Sequence, residues 1–312
     1  MFYNKEYVLE VYKEKSFSKA AKSLYISQPS LSASIKRIED KIGAPIFDRS
    51  TTPVSLTEIG CQYIKHAKEI EKLERSFVDH MNDCLNILKG EINIGGSTLF
   101  SSYILPPMIS KFNKKYPHTD FKIHEADTKS LIELLNSGEL DVFIDNATIT
   151  DNTISSFPYS SEILLLAVPK TSPINNKLKE YALSYEDIKN NVHTKEEFKT
   201  VSLDLFKDES FVLLKHENDT GKKARQLCRK HGFMPKIIFE LDQQITAYNI
   251  VSTGMGICFV SDTLIKHLNA PHDIVFYKLA DKEISRKIYF YVKNNRYVSN
   301  ACRKFIDTNL LK

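Results

Sequence analysis

The sequence has few of the features that point quickly to a function. Its 312 residues include five cysteines, Cys61, Cys84, Cys228, Cys258 and Cys302, and no two form a C-x-x-C pair. An odd number without a framework suits a reducing compartment better than a disulfide-stapled secreted fold. The apolar run "ILLLAV", residues 163–168, falls far short of the roughly 20 residues needed to cross a bilayer. The opening "MFYNKEYVLEVYKEKSF" is broken by Lys and Glu, unlike a secretory leader. A soluble cytoplasmic chain with no membrane partner is expected. The formal charge of +4 is too small for a polybasic coat on nucleic acid or membrane. Any DNA contact must come from local arrangement.

Catalytic signatures are missing as well. Nine histidines are scattered without a G-x-S-x-G elbow or a P-loop lysine. The "GMG" at Gly254–Gly256 lacks the third glycine and the preceding strand of a dinucleotide fingerprint. His80 and Cys84 stand four apart on a helical stretch, but two ligands without two more do not make a metal site. No cofactor, metal or enzymatic activity is expected, and the cysteines read as structural.

What is present begins in the first ninety residues. Tyr7, Val8, Val11 and Tyr12 recur at helical spacing, and Ser18 is a candidate cap for "KAAKSLY", whose Ala20 and Ala21 allow close packing. In "SLYISQPSLSASIKRIEDKIG", Pro29 suits the first turn of a helix that Ser27 can cap. Leu31, Ile35, Ile38 and Ile42 then form one inward stripe. The opposite face shows Gln28, Ser30, Ser32, Ala33, Lys36 and Arg37, small and polar first and basic later. Two short helices, a turn and a third helix with such a face form a helix-turn-helix pattern. Gln can read adenine, Ser either kind of base edge, and an Ala methyl can meet that of thymine. Lys36 and Arg37 are placed for phosphates. A small helical domain that merely exposes serines fits these helices too. The following "APIFDRSTTPVSLTEIG" adds Phe47 for the core, two short extended pieces around Thr51–Pro53, and Arg49 as a phosphate contact.

The run from "SFSKAAKSLY" to "VSLTEIG" resembles the DNA-binding end of LysR-type transcriptional regulators. The resemblance implies that Gln28, Pro29, Ser32 and position 33 approach the bases. Two departures stand out: position 33, usually arginine, is Ala33, and the usually basic wing carries Thr51, Thr52 and Pro53. One bidentate base contact contributes about 1–3 kcal/mol of discrimination, so this departure shifts sequence choice without abolishing binding.

Thr57 opens a long helical stretch to Lys89, with Ile59, Tyr63, Ile70, Leu73, Phe77, Met81, Cys84 and Leu88 near one face. Such a stripe calls for a partner helix, and a second copy of the chain is the natural one. The resemblance implies the same: a linker helix pairing two chains, and usually a homotetramer.

Beyond residue 90, strand-like segments alternate with helical ones, among them "EINIG", "FKIHEA", "DVFIDN", "ILLLAVP", "FVLL", "KIIFEL", "GICFV", "IVFYKL" and "RKIYFYVK". The alternation predicts largely parallel, helix-covered α/β sheets. The resemblance implies two lobes like those of periplasmic binding proteins. The expected organisation is therefore a winged helix-turn-helix over 1–57, a linker helix over 58–89 and an α/β two-lobed effector domain over 90–312. Its first lobe covers about 90–162 and 267–312, and its second about 163–266, with crossings near Ile163 and Lys266. The charged stretch 170–210 reads as a solvated surface excursion. Ser97, Thr98, Thr128 and Thr220 precede helical segments, with Asp145 and Gln243 or Gln244 as further candidates. Free N–H groups at helix starts suit a small anion such as a carboxylate, though ordinary capping explains many such hydroxyls. The leading reading is a promoter-binding regulator controlled by a small-molecule effector. A two-lobed solute-binding protein or enzyme that does not read DNA is the alternative.

Overall fold

The computed structural model describes residues 1–85, 88–268 and 273–310, and the chain divides into two compact units after Leu85. The first unit holds α1 (Lys5–Glu14), α2 (Phe17–Ser23), α3 (Gln28–Ile42), β1 (Phe47–Asp48), β2 (Ser55–Leu56) and α4 (Glu58–Cys84). Val8, Val11, Ala20, Leu31, Ile35 and Ile38 are buried together, so the inward stripe of α3 faces α1 and α2 as its spacing requires. Ser27 caps α3 by accepting from Ser30 N, with Pro29 in the first turn. At α2 the cap is Ser16, which accepts from Lys19 N, and not the expected Ser18. Ser18 Oγ donates instead to Gln28 Oε1 at 2.9 Å.

Two residues join the wing to the helices. Glu39 Oε1 accepts from Ile46 N at 2.8 Å and from Phe47 N at 3.3 Å, so α3 holds the start of β1 directly. Gly60, in the first turn of α4, lies so close to the preceding chain that a Cβ there would stand 2.0 Å from Ile46 O. α4 then splits along its length. Tyr63, Ile64 and Ala67 are buried in this unit's core, whereas Leu73 and Phe77 are 70% and 66% exposed and Met81 is exposed beyond them. The expected single stripe therefore serves two purposes. The helix also ends at Cys84, earlier than expected, and Leu88 packs against a core of the second unit.

The second unit comprises β3 (Gly90–Gly96), α5 (Leu105–Lys115), β4 (Thr119–Glu125), α6 (Thr128–Ser137), β5 (Val142–Asp145), β6 (Ile154–Pro169), α7 (Ile174–Lys177), β7 (Ala182–Leu183), α8 (Tyr185–Lys189), β8 (Ser210–Leu214), α9 (Asp219–Lys230), β9 (Lys236–Leu241), α10 (Gln244–Ser252), β10 (Cys258–Ser261), α11 (Asp262–His267), β11 (Ile274–Lys278), β12 (Ser285–Lys293) and α12 (Asn300–Asn309). A π-helical turn, Phe100–Ile104, leads into α5. β3 pairs in parallel with β4 and β5, and β8 with β9. The remaining ladders are antiparallel, so the sheet system is mixed and not largely parallel.

The cause is β6. Its first half, to Ile163, pairs with β12, and its second half, from Leu164, pairs with β10 and β11. One strand thus runs through both lobes, and its neighbours return against it. Because β11 still pairs with the far half of β6, the chain comes back at β12, later than the expected Lys266. Residues 170–210 also differ from expectation. Leu178, Leu183, Tyr185, Ile188, Val201, Leu203 and Phe206 are buried, and β7 adds to the edge of β11. The charges face solvent while the apolar residues between them complete a core.

Within that stretch His193 is fully buried, and its Nε2 lies 2.8 Å from Asp262 Oδ2. Asp262 also accepts from Lys266 Nζ at 2.7 Å and from Ile163 N at 2.8 Å. Burial pulls this carboxyl up, but the bonds from His193, Lys266 and Ile163 N outweigh it and hold it below the usual range. Asp262→Ala, which strips all three donors of their acceptor, is expected to cost about 3 kcal/mol at neutral pH. A carboxyl with a lowered pKa stabilises the fold above about pH 4 and loses that contribution as pH falls through its folded value. The stability gap between wild type and variant, measured by thermal melting, should therefore narrow in acid. For the wing, Gly60→Ala is expected to cost about 1–3 kcal/mol through the clash with Ile46 O, checked by the same melting measurement.

Candidate functional site

The N-terminal unit presents the expected α3 face. Ser27, Gln28, Pro29, Ser30, Ala33, Lys36 and Arg37 are exposed, and Ser32 is half-buried. The polar groups at its start are held in place, Gln28 by Ser18 and Ser30 by a 2.8 Å contact between its Oγ and that of Ser27. Between the starts of α2 and α3 and the wing runs a groove of about 630 Å³ lined by Lys15, Lys19, Gln28, Ser32, Arg49 and Thr52, among others. Arg49 is less free than expected. Its guanidinium donates to Glu39 Oε2 at 3.1 Å and lies 4.6 Å over the Phe17 ring. Lys15 and Lys19, exposed beside the same groove, were not selected from sequence. Their position flanking the first turn was the available signal.

In the second unit a cavity of about 590 Å³ opens at the carboxyl ends of β3, β4, β5, β8 and β9, where α/β sheets bind ligands. Ser97, Thr98, Thr128, Asp145, Thr220 and Gln243, widely separated in sequence, all line it. The expected candidates are thus brought together, but the threonines are not caps. Asp127 caps α6 by accepting from Ser130 N, and Asn218 caps α9 by accepting from Thr220 N. The threonine hydroxyls are left for other partners. Thr128 Oγ1 donates to Asp145 Oδ2 at 2.9 Å, and Thr98 Oγ1 donates to Glu125. Gln243 precedes α10 and makes no side-chain cap bond. Gly221 allows α9 to start here, since a Cβ would stand 2.2 Å from Lys215 O and 2.4 Å from Leu214 O.

Asp145 is the most enclosed carboxylate of the lining. Its Oδ1 accepts from Asn146 N at 2.7 Å and Ala147 N at 2.9 Å. Burial pushes its pKa up, nearby Asp219 adds to that, and the bonds from Ala147 N, Thr128 and Asn146 N only partly compensate.

Beneath the lining is a chain of polar groups that sequence reasoning missed. Arg286 on β12 is buried. Its guanidinium donates to Glu162 on β6, to Asp219 Oδ2 at 2.9 Å and to Thr220 Oγ1 at 2.9 Å. Glu162 Oε1 also accepts from Asn146 Nδ2 at 2.7 Å. Gln244 Nε2 donates to Thr220 Oγ1 at 2.9 Å, and Gln244 Oε1 accepts from Ser261 N at 2.9 Å. Arg286 and Glu162 face each other across the β6–β12 ladder. In sequence each is a single charge beside an apolar strand, and the pairing becomes visible only when the register is known.

The N-terminal residues 4–61 match the sequence model of the bacterial regulatory helix-turn-helix protein, lysR family, and residues 86–309 match that of the LysR substrate binding domain. YcgK of Bacillus subtilis, an uncharacterised HTH-type transcriptional regulator, is 29% identical over 307 residues, covering 97% of this chain and 91% of YcgK. A probable RuBisCO transcriptional regulator of Cyanidioschyzon merolae is 30% identical over 306 residues, or 95% and 93% of the two chains. The structure of CbnR, a LysR family transcriptional regulator, aligns over 100% of both chains with a TM-score of 0.67 at 16% identity. Full-length CbnR complexed with its target DNA aligns over 99% of each with a TM-score of 0.68 at 17% identity. At that identity the likeness shows a common fold. The chain belongs to the LysR family of bacterial transcriptional regulators, with a regulatory helix-turn-helix at its N-terminal end followed by a LysR substrate-binding domain.

Proposed function

We propose that the chain binds promoter DNA through α3 and its flanking groove, and that a small polar metabolite in the second unit's cavity controls its effect on transcription. The observation that carries the ligand reading is the convergence of six separately expected residues on one cavity of about 590 Å³. Support for the DNA reading comes from the exposed polar start of α3, the basic residues after it, and the target-DNA complex of the similarly folded CbnR. The exposed apolar half of α4, from Leu73 through Phe77 to Met81, fits a helix that pairs with that of a second copy. Two recognition helices on spaced half-sites then supply the discrimination one cannot, and a homotetramer is the larger assembly proposed.

Nucleophilic chemistry at Cys228 and Cys258 is disfavoured by their burial. Burial pushes the Cys228 thiol up to about 12 and the Cys258 thiol higher still, which leaves both unreactive. Ligand control requires only that the metabolite prefer one arrangement of the assembly over another. The anticipated carboxylate effector meets a lining that holds six carboxylates and two lysines.

The DNA reading is tested by titrating the purified protein on its own upstream region and on an unrelated duplex at several salt concentrations. About five phosphate contacts should give a log–log salt slope near −4 to −5. A clear preference for the upstream region is expected with it. A flat response, or equal affinity for both duplexes, would show that α3 does not read sequence.

A further inference from the structure

The charge of the cavity distinguishes between classes of metabolite. Its walls carry Glu125, Asp127, Asp145, Glu217, Asp219 and Asp242 against Lys129 and Lys215, although the chain as a whole is formally +4. Apart from Lys129, the cations at or just behind the cavity wall are already committed. Lys215 Nζ is 2.9 Å from Asp242 Oδ1, and the buried Arg286 guanidinium is shared between Glu162 and Asp219. Two of the helix starts at the cavity, those of α6 and α9, already carry a carboxylate, while the start of α10 at Gln243 has none. Asp127 caps α6, and Asp219 occupies the first turn of α9. Three carboxylates remain on one side of the cavity without an ammonium or guanidinium partner among the described residues. Glu125 takes only the Thr98 hydroxyl, Asp127 takes Ser130 N, and Asp145 takes two backbone N–H groups and the Thr128 hydroxyl.

A second observation lies just behind the wall. Glu162 is 1% exposed, and its Oε2 has no hydrogen-bond partner among the described residues, while Oε1 is used by Asn146, which lines the cavity, and by Arg286. Glu162 does not itself line the cavity, so its unfilled acceptor capacity bears on the site through Asn146. Within the wall itself Asp145 is the buried acceptor, and a ligand that donates hydrogen bonds to it relieves the cost of its burial.

We infer that the cavity takes an organic cation, a small amine or polyamine, whose ammonium groups lie among Glu125, Asp127 and Asp145, with Asp219 near Asp145 in the same wall. A carboxylate placed there would meet the charge of Glu125 and Asp127, with Lys129, exposed at the rim, as the lining cation that has no carboxylate partner among the described residues. The hydroxyl and amide groups of Ser97, Thr220, Asn218 and Gln243 serve as neutral partners for the rest of such a ligand. Asp145, held back from ionising by burial and by Asp219, gains a counter-charge when the ligand is bound.

This inference rests on the reading of the cavity as the effector site, and one experiment separates the two. Melting of the full-length protein is followed with putrescine and spermidine, with succinate and benzoate, and with ribose, each at millimolar concentration and at ionic strength matched with NaCl. A saturable rise in Tm with an amine is expected, and none with the carboxylates. Asp145→Asn and Glu125→Gln keep the side-chain shape and should each weaken the amine about tenfold or more, the loss of one charged hydrogen bond. A saturable shift with a carboxylate or with ribose alone overturns the cationic assignment. If Thr128→Val abolishes that shift, the cavity remains the effector site. An amine shift unchanged in Asp145→Asn, Glu125→Gln and Thr128→Val places the amine elsewhere and overturns both. No amine shift beyond that of NaCl overturns the cationic assignment.

Discussion

A guanidinium buried at Arg286 ties together the strands and helix starts that surround the second unit's cavity. Desolvating such a charge is tolerable only where carboxylates and hydrogen-bond acceptors surround it. Glu162 on the long strand β6, Asp219 and Thr220 at the start of α9, and through Glu162 the amide of Asn146 meet that demand. Gln244 extends the same chain from Thr220 to Ser261 N at the end of β10. β5, β6, β12, α9, α10 and β10 are therefore tied through one continuous polar path. Removing one member of a buried pair typically costs about 3–5 kcal/mol because the other is left uncompensated. The network thus sets where the loops at the carboxyl ends of the strands must lie.

The cavity follows from that placement. Asn146, Asp219, Thr220 and Gln244 turn one side toward the Arg286 network and also line the open space. A ligand bound to these side chains competes with, or adds to, bonds that connect strands of both lobes. Small changes at such a site can bias discrete arrangements, because packed interiors are not continuously deformable. In the first unit the same economy appears on a smaller scale: Glu39 both fastens the wing to α3 and holds Arg49 beside the groove along α3.

Local chemistry was legible in the sequence, and long-range register was not. The α3 cap, its proline and its inward stripe depend on neighbours within a few residues, and the structure has them as read. The nine strand segments were visible for the same reason, as were the hydroxyl-bearing turns that line the cavity. The antiparallel returns against β6 were not, since alternating strands and helices look alike whether a strand pairs forward or back. The stretch 170–210 misled because its many charges hide the apolar residues, Ile188, Leu203 and Phe206 among them, that turn inward. Glu162 and Arg286 are 124 positions apart, so nothing in either local sequence announces the pair. Similarly, Thr128 and Thr220 read as caps until Asp127 and Asn218 are seen to fill that role.

The most direct test of this account is amide hydrogen exchange on the wild type and on Arg286→Met, which keeps length but removes the charge. If the guanidinium organises the cavity, protection should fall together in residues 143–147 and 217–222, which are remote in sequence and are joined through Glu162, Arg286 and Asp219. Loss of protection confined to β12 and its strand neighbours would contradict it, and Arg286 would then be a local packing residue without a hold on the site.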